Sequence, residues 1–294
     1  MPILADGDQA LGAWVLLFST SHIGMSAARS SLIDVCGRGA NQLGIVGRDL
    51  KLPEIWLADE SGLDVFPDVD TAGRQIYRVC YSAISFLTLG SAFSSYLSCR
   101  DVSPLIEPFA SLGSTESSRA FLFALAAVAQ GISLASLGNP SPLSLVPGFS
   151  GDSDSALGVQ RDDSLKLNPY GLTRITRHPL ILPVVPWGLA NAALTGGRAA
   201  DALLFVGLAA YALAGCAAQD LRASQAGEVG TAFGGSGERL RGFYASTSFL
   251  PFAALFDGRQ PAVALASELP TGLLAAGCIA GCAIEAATLH WFGV

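Results

Sequence analysis

The chain has 294 residues, of which 51% are hydrophobic and only 14% are charged, and its formal net charge is −7 at pH 7. This apolar composition is unusual for a soluble domain of this size and indicates an integral membrane protein. The negative charge and the absence of a basic tract argue against a nucleic-acid partner. The six cysteines include no Cys-x-x-Cys pair and most lie in apolar runs, which is typical of small hydrophobes rather than of a zinc site or a disulfide framework.

Apolar windows long enough to cross a bilayer recur along the chain. A spanning helix needs about 20 mostly apolar residues. Six windows approach that length: 10–28, 77–97, 120–138, 180–197, 202–218 and 262–291. A shorter apolar stretch, 248–256, is typical of a re-entrant or interfacial element. The sequence therefore predicts an all-α, polytopic membrane helical bundle in a lipid bilayer, with about six transmembrane helices and one short re-entrant or interfacial helix.

Two polar stretches, about 36–74 and 139–170, separate the windows and are predicted to be loops. With six alternating spans, 13 of the 17 basic residues fall on one side of the membrane, in the loops around 29–78, 161–177 and 222–241. The positive-inside rule predicts that this side is cytoplasmic or stromal. Asp6 and Asp8 precede the first window, where a signal peptide would carry Lys or Arg, so no cleavable signal is expected.

His22 lies inside the first apolar window, beside Gly24 and several small hydroxyl residues. Position i+7 of a helix lies nearly above position i, so Arg29 is predicted to share the face of His22. Small neighbours allow another helix or a flat ligand to approach closely. Two interpretations follow: a functional imidazole, either an axial heme ligand or a proton carrier, and an interhelical hydrogen bond.

A basic cluster stands at the start of the fourth window, where Arg174, Arg177 and His178 precede Pro179. Because proline suits the first turn of a helix, the cluster is predicted to lie just before a helix start, where backbone N–H groups favour an anion. Paired arginines there suit phosphate, carboxylate or heme propionates, and the alternative is ordinary contact with lipid headgroups.

Three sequence blocks, in the same order and spacing, resemble one family. The blocks are 21–29, with His22, Gly24 and Arg29; the run Gly171 to Pro179; and Thr247 to Ala254 followed by Asp257-Gly258-Arg259-Gln260. The chain resembles the NnrU-like membrane proteins and, within them, the plant and algal 15-cis-zeta-carotene isomerases. The resemblance covers about residues 14–260. It implies a single transmembrane domain over residues 1–294, with 36–74 and 139–170 as divergent loops.

The resemblance implies a bundle that holds heme b between membrane helices and rotates the 15-cis double bond of a polyene with no net oxidation or reduction. His22 matches an axial ligand of the family, which makes it the implied metal ligand and a catalytic residue. His178 is the second catalytic candidate. Together with Arg29, Arg174 and Arg177 it belongs to the implied cofactor site.

The sequence departs from the family at the second axial ligand. That ligand is expected 13 residues after His178, where this chain has Asn191, and a further family histidine pair corresponds to Tyr211 and Ala212. Asparagine is a poor heme ligand. Three alternatives are therefore expected: His178 replaces the missing ligand, the iron is five-coordinate on His22, or the protein is a scaffold without heme. Asn191 remains a candidate residue of the cofactor site because of its position.

Three classes of function remain open. The first is a heme-dependent carotenoid cis–trans isomerase of a plastid membrane, either thylakoid or envelope. The second is a non-catalytic pigment-binding or scaffold subunit of a photosynthetic membrane complex. The third is an isoprenylcysteine-type methyltransferase, whose Arg-His-Pro motif is shared, although Leu180-Ile181-Leu182 and the lack of a glutamate pair differ. A prokaryotic source would imply the bacterial inner membrane and the NnrU role linked to nitrite and nitric-oxide respiration.

Overall fold

A computed structural model describes residues 6–47, 68–141, 149–151, 159–161, 166–226 and 237–293. These residues are mainly helical, and much of the two predicted loops lies outside them. The helices are α1 (Asp6–Ala27), α2 (Arg29–Gln42), α3 (Val69–Cys99), α4 (Glu107–Leu112), α5 (Glu116–Ser136), α6 (Val184–Leu194), α7 (Ala199–Asp201), α8 (Gly207–Ala226), α9 (Gly237–Ser246), α10 (Ala253–Phe256), α11 (Ala262–Glu268) and α12 (Thr271–Trp291). A 3-10 turn (Gly171–Arg174), a π-helical segment (Ala202–Val206) and two antiparallel strands, β1 (Phe149–Gly151) and β2 (Val159–Arg161), complete the set.

Within the described residues, five helices are long and apolar enough to cross a membrane, which confirms the predicted helical membrane bundle. They are Asp6–Ala27, Val69–Cys99, Glu116–Ser136, Ala199–Ala223 and Thr271–Trp291. The last predicted window, 262–291, is divided because Pro270 separates α11 from α12. The predicted interfacial stretch 248–256 contains one helical turn, α10.

The fourth predicted window takes an irregular path. Only Val184–Leu194 is helical there, and 11 residues extend about 16 Å, roughly half of the hydrocarbon core. Pro179, Pro183 and Pro186 explain the late start, because proline lacks the N–H that a continuing helix needs and is tolerated in its first turn.

Residues 171–194 nevertheless reach from one end of α5 to the other, and we call them the broken crossing. At one end the backbone N–H of Leu172 donates to Asn139 Oδ1 (3.1 Å), just beyond the last residue of α5. At the other end Arg119, in the first turn of α5, donates to the Leu194 carbonyl (3.3 Å). Irregular backbone is tolerated at membrane depth where protein encloses it, and Leu172 is indeed buried.

Glycines bring helix backbones into direct contact. A Cβ on Gly281 would collide with the Ala127 carbonyl, so α12 packs directly on α5. A Cβ on Gly188 would collide with the Phe205 carbonyl, so α6 packs directly on the π-helical segment. Close contacts between small residues are the usual means by which helices associate in lipid, where apolar burial alone gives little preference for protein over lipid.

The chain divides into two compact units, Met1–Val15 with Ala92–Val294, and Leu16–Ser91. The larger unit has an apolar core that includes Leu11 and Phe205. The same core contains a buried polar pair, in which the Tyr96 hydroxyl donates to Asp201 Oδ1 (2.7 Å). The smaller unit joins parts of α1 and α3 with α2, and we describe it separately below.

Candidate functional site

An apolar cavity of about 520 Å³ lies beside the broken crossing in the larger unit. Its walls come from four parts of the chain: the α5 face around Val128 and Ala129, the broken crossing from Leu172 to Pro186, Leu213 of α8, and the segment 249–252 with two leucines near α12. Among the lining residues Thr176 is the sole polar one, and its hydroxyl donates to the Phe249 carbonyl (2.8 Å). The side chains that line the cavity are therefore almost entirely hydrocarbon.

Two of the family-like blocks are hydrogen-bonded to each other along this cavity. The backbone N–H of Arg177 donates to the Ser248 carbonyl (2.9 Å), and the N–H of Phe252 donates to the Ile175 carbonyl (2.8 Å). Phe252 has φ 65°, a left-handed conformation that costs a bulky residue some strain. The run 171–179 and the run 247–254 therefore form one structural unit, which the sequence alone did not connect.

Arg174 is held by protein groups on two sides. Its Nε and Nη2 donate to the two carboxylate oxygens of Glu268 (2.7 and 2.6 Å), and its Nη1 donates to Gln260. The hydrogen bonds from Arg174 hold the pKa of Glu268 below its ordinary value, although partial burial acts in the opposite direction. A phosphate or propionate at Arg174 would have to compete with this carboxylate.

Arg177 and His178 share a second carboxylate, that of Asp220 on α8. Arg177 Nη1 lies 3.3 Å from Asp220 Oδ2, and His178 Nε2 lies 2.8 Å from Asp220 Oδ1. The Arg177 guanidinium also packs over the Tyr244 ring at 4.7 Å. Burial, followed by the nearby charge of Asp220, raises the pKa of Tyr244. The sequence does not show this arrangement, because Asp220 lies 43 and 42 positions after its partners Arg177 and His178.

His178 is fully buried and lies behind the cavity wall. Its chain neighbours Thr176 and Pro179 line the cavity, as does Phe249, whose ring meets the imidazole edge-on at 5.6 Å between centroids. In the part of the chain that the structure describes, His178 Nδ1 has no hydrogen-bond partner. The hydrogen bond between Nε2 and Asp220 fixes the orientation of the imidazole, as a carboxylate does for a histidine ligand or base.

His22 and Arg29 belong to the smaller unit. His22 Nδ1 lies 2.9 Å from Ser85 Oγ on α3, and its ring lies 4.3 Å from the ring of Tyr81 and 5.3 Å from that of Phe18. The interhelical hydrogen bond, one of the two sequence interpretations of His22, is therefore present. Arg29 opens α2 rather than continuing α1.

Asn191 is fully buried on α6 and bonded within its own helix. Its amide nitrogen donates to the Trp187 carbonyl (3.1 Å). Its side chain also lies close to the buried carboxyl group of Glu285 on α12, which accepts a hydrogen bond from Gln130 (2.9 Å). The sequence analysis singled out neither Glu285 nor Gln130, because their pairing depends on helix packing.

The surroundings of Asn191 do not fit a heme. An amide is a poor iron ligand. The backbone-to-backbone contact of Gly188 with Phe205, one turn away, leaves no gap for a flat macrocycle between α6 and the π-helical segment. Among the described residues, no group of three or more His, Cys, Asp and Glu side chains is arranged to hold a metal ion.

Comparison with known proteins identifies a family but no individual relative. The family model described as NnrU protein matches residues 68–292. This range includes the blocks 171–179 and 247–260 but excludes the block around His22 and Arg29. No curated protein and no solved structure matches the chain.

Proposed function

The chain belongs to the NnrU protein family, and we propose that it is a membrane protein whose cavity binds a long apolar polyene of the carotenoid class. The observation that carries this proposal is the chemistry of the cavity. Ligand sites for polar molecules include a few side chains that fix orientation by hydrogen bonds. Here the single polar lining residue, Thr176, already donates to Phe249, so the wall suits a ligand with no polar group.

The size and stiffness of the cavity support the same ligand class. A volume of about 520 Å³ lies within the range of about 300–1,000 Å³ that holds small organic ligands. Four prolines, at positions 179, 183, 186 and 251, are among its lining residues and restrict the backbone. Two of the cavity walls consist of the runs 171–179 and 247–254. The residues that resemble the family are therefore also residues that would contact the ligand.

Cis–trans isomerisation of the bound polyene is the second candidate function, and His178 favours it. The reaction needs neither gain nor loss of atoms, only a lower bond order at one double bond. The Asp220-oriented imidazole, with an unpartnered Nδ1 within the described structure, stands directly behind the cavity wall. Because the surroundings of Asn191 do not fit heme, a heme-dependent form of this candidate would use His22 as its axial ligand.

The proposal includes a location. A carotenoid would be encountered in a plastid membrane, thylakoid or envelope, and the bacterial inner membrane is the alternative for a prokaryotic source. A non-catalytic role within a pigment-containing membrane complex uses the same cavity. The methyltransferase class is not favoured, because the polar cosubstrate of that reaction would meet a cavity lining in which Thr176 is the single polar residue.

Visible absorption of the detergent-purified full chain, first oxidised and then reduced, tests these functions together. A structured polyene spectrum, with chromatography of the extracted pigment, is expected for the binding function. Incubation with a 15-cis polyene should leave its isomer composition unchanged for a binding protein and convert it for an isomerase. A reduced-heme spectrum that disappears in His22→Ala would support the heme-dependent form. Failure to retain any polyene, native or added, would contradict the proposal.

A further inference from the structure

Four side chains with buried polar atoms converge between α5, α6 and α12, outside the apolar cavity. They are Gln130, Trp187, Asn191 and Glu285. Glu285 and Asn191 are fully buried. The carboxyl group of Glu285 accepts one hydrogen bond, from Gln130 Nε2 (2.9 Å), and the side chains of Asn191 and Trp187 lie close to it without completing hydrogen bonds.

The unfulfilled hydrogen-bonding groups of this cluster complement one another. Within the described structure, three acceptor oxygens have no donor: Gln130 Oε1, Asn191 Oδ1 and Glu285 Oε1. One donor, the indole N–H of Trp187, has no acceptor. Buried polar groups are nearly always paired, because an unpaired group costs about 1–3 kcal/mol. Neighbouring polar groups that do not complete a direct hydrogen bond are commonly joined by a bridging molecule.

We propose that Gln130, Trp187, Asn191 and Glu285 form an internal site that binds one water molecule inside the membrane bundle. Water accepts from the Trp187 N–H and donates to two of the three oxygens, which gives it three protein partners. Buried waters typically make about three hydrogen bonds of this kind. The site is independent of the polyene, because none of these four residues lines the cavity.

The cluster suits a water molecule better than it suits a bare cation or a rotated amide. A cation could bind to the three oxygens, but the partly positive hydrogen of the Trp187 N–H would then face the ion and repel it. Exchanging the oxygen and nitrogen of the Asn191 amide would supply a donor toward Glu285. It would also set the amide oxygen against the Trp187 carbonyl that now accepts from the amide nitrogen (3.1 Å). A neutral molecule with both donors and acceptors avoids both conflicts.

Nuclear Overhauser transfer from water to the indole N–H of Trp187 tests the site in the full chain. The protein has four tryptophans, so Trp187→Phe assigns the resonance by its loss. Wild type should show transfer from a long-lived water to this N–H. Glu285→Leu and Asn191→Leu each remove one of the three acceptors and should weaken the transfer, and the variant with both substitutions should abolish it. The control Thr88→Val likewise replaces a buried polar side chain of a spanning helix by an apolar one, and it should leave the transfer unchanged.

Glu285→Gln separates bound water from an exchanging carboxyl proton. The glutamine keeps an acceptor oxygen but has no acidic O–H, so the transfer should persist if water is its source. Loss of the transfer in Glu285→Gln, with unchanged helix content by circular dichroism, would overturn the proposal. So would the absence of transfer in folded wild type, or its persistence in the folded variant that carries both leucine substitutions.

Discussion

The guanidinium group of Arg174 forms two parallel hydrogen bonds with the carboxylate of Glu268, 94 residues later in the chain, and so joins the start of the broken crossing to the end of α11. The same carboxylate accepts from the backbone N–H of Gly171 (3.0 Å). Bidentate pairs of arginine and carboxylate are among the stronger polar contacts in proteins. This pair sets one end of the cavity wall.

Replacing Glu268 by glutamine should destabilise the folded protein by about 1–3 kcal/mol, because partly buried arginine would lose a charged partner. The thermal unfolding midpoint in detergent measures the effect. Asp257→Asn is the matched control. It removes one carboxylate from the exposed Arg259 pair, and such a pair contributes little to stability because water screens its charges. Equal losses in the two variants would show that the Arg174 contact adds nothing beyond a surface ion pair.

Acid should weaken the wild type more than the Glu268→Gln variant. Because the folded pKa of Glu268 lies below its ordinary value of about 4.3, its stabilising contribution is present above that pH and disappears as the pH falls through the folded pKa. The difference in unfolding midpoint between the two proteins should therefore shrink on acidification. Asp257 and Asp68 also have lowered pKa values, but they titrate in both proteins and cancel in the difference. A difference that does not vary with pH would refute the assignment.

Asp220→Asn should destabilise the larger unit by about 3 kcal/mol or more, since it removes the carboxylate that Arg177 and His178 share. Thermal unfolding and limited proteolysis both measure this loss. His178→Phe keeps an aromatic ring in place but removes both imidazole nitrogens. If His178 serves only to bind Asp220, this variant should bind polyene and convert it to the same extent as the wild type. If isomerisation depends on the imidazole, the variant should bind polyene without converting it.

Gly281→Ala should disturb the contact between α12 and α5, because the new Cβ would collide with the Ala127 carbonyl. Overpacking of this kind typically costs about 1–3 kcal/mol. Gly272→Ala is the matched control in the same helix, where no atom lies within 4 Å of an added Cβ. The control should be neutral or slightly stabilising, because alanine favours helix more than glycine does. Similar unfolding midpoints for the two variants would mean that the close contact does not exist in the membrane.

Leu213→Trp should lower polyene affinity at least about tenfold, which corresponds to 1.4 kcal/mol, because the larger side chain occupies part of the cavity. Leu189→Trp places the same ring at a similarly exposed position on α6 that does not line the cavity. Quenching of protein fluorescence by added polyene measures both affinities. Equal affinities would place the ligand elsewhere on the protein.

The sequence predicted the membrane bundle because long apolar windows are a local property of the chain. It also identified the runs around His178 and Arg259 as one family pattern. It could not predict the path of the fourth window, where three prolines outweigh apolar character. Nor could it match Arg174 with Glu268, or His178 with Asp220, since such partners depend on tertiary packing. The assignments of His22, Arg29, Arg174, Arg177, His178 and Asn191 to a cofactor site remain predictions.

The broken crossing has a consequence for biosynthesis. A continuous membrane helix satisfies its own backbone and can leave the translocation machinery as soon as it is made. Residues 175–177 instead bond to carbonyls and amides of Ser248, Phe249 and Phe252, which are synthesised about 70 residues later. Until those residues emerge, this stretch needs shelter from lipid. A ribosome stalled shortly before Thr247 should therefore hold a nascent chain whose fourth crossing remains accessible to water-soluble labelling reagents, and one released after Gln260 should not.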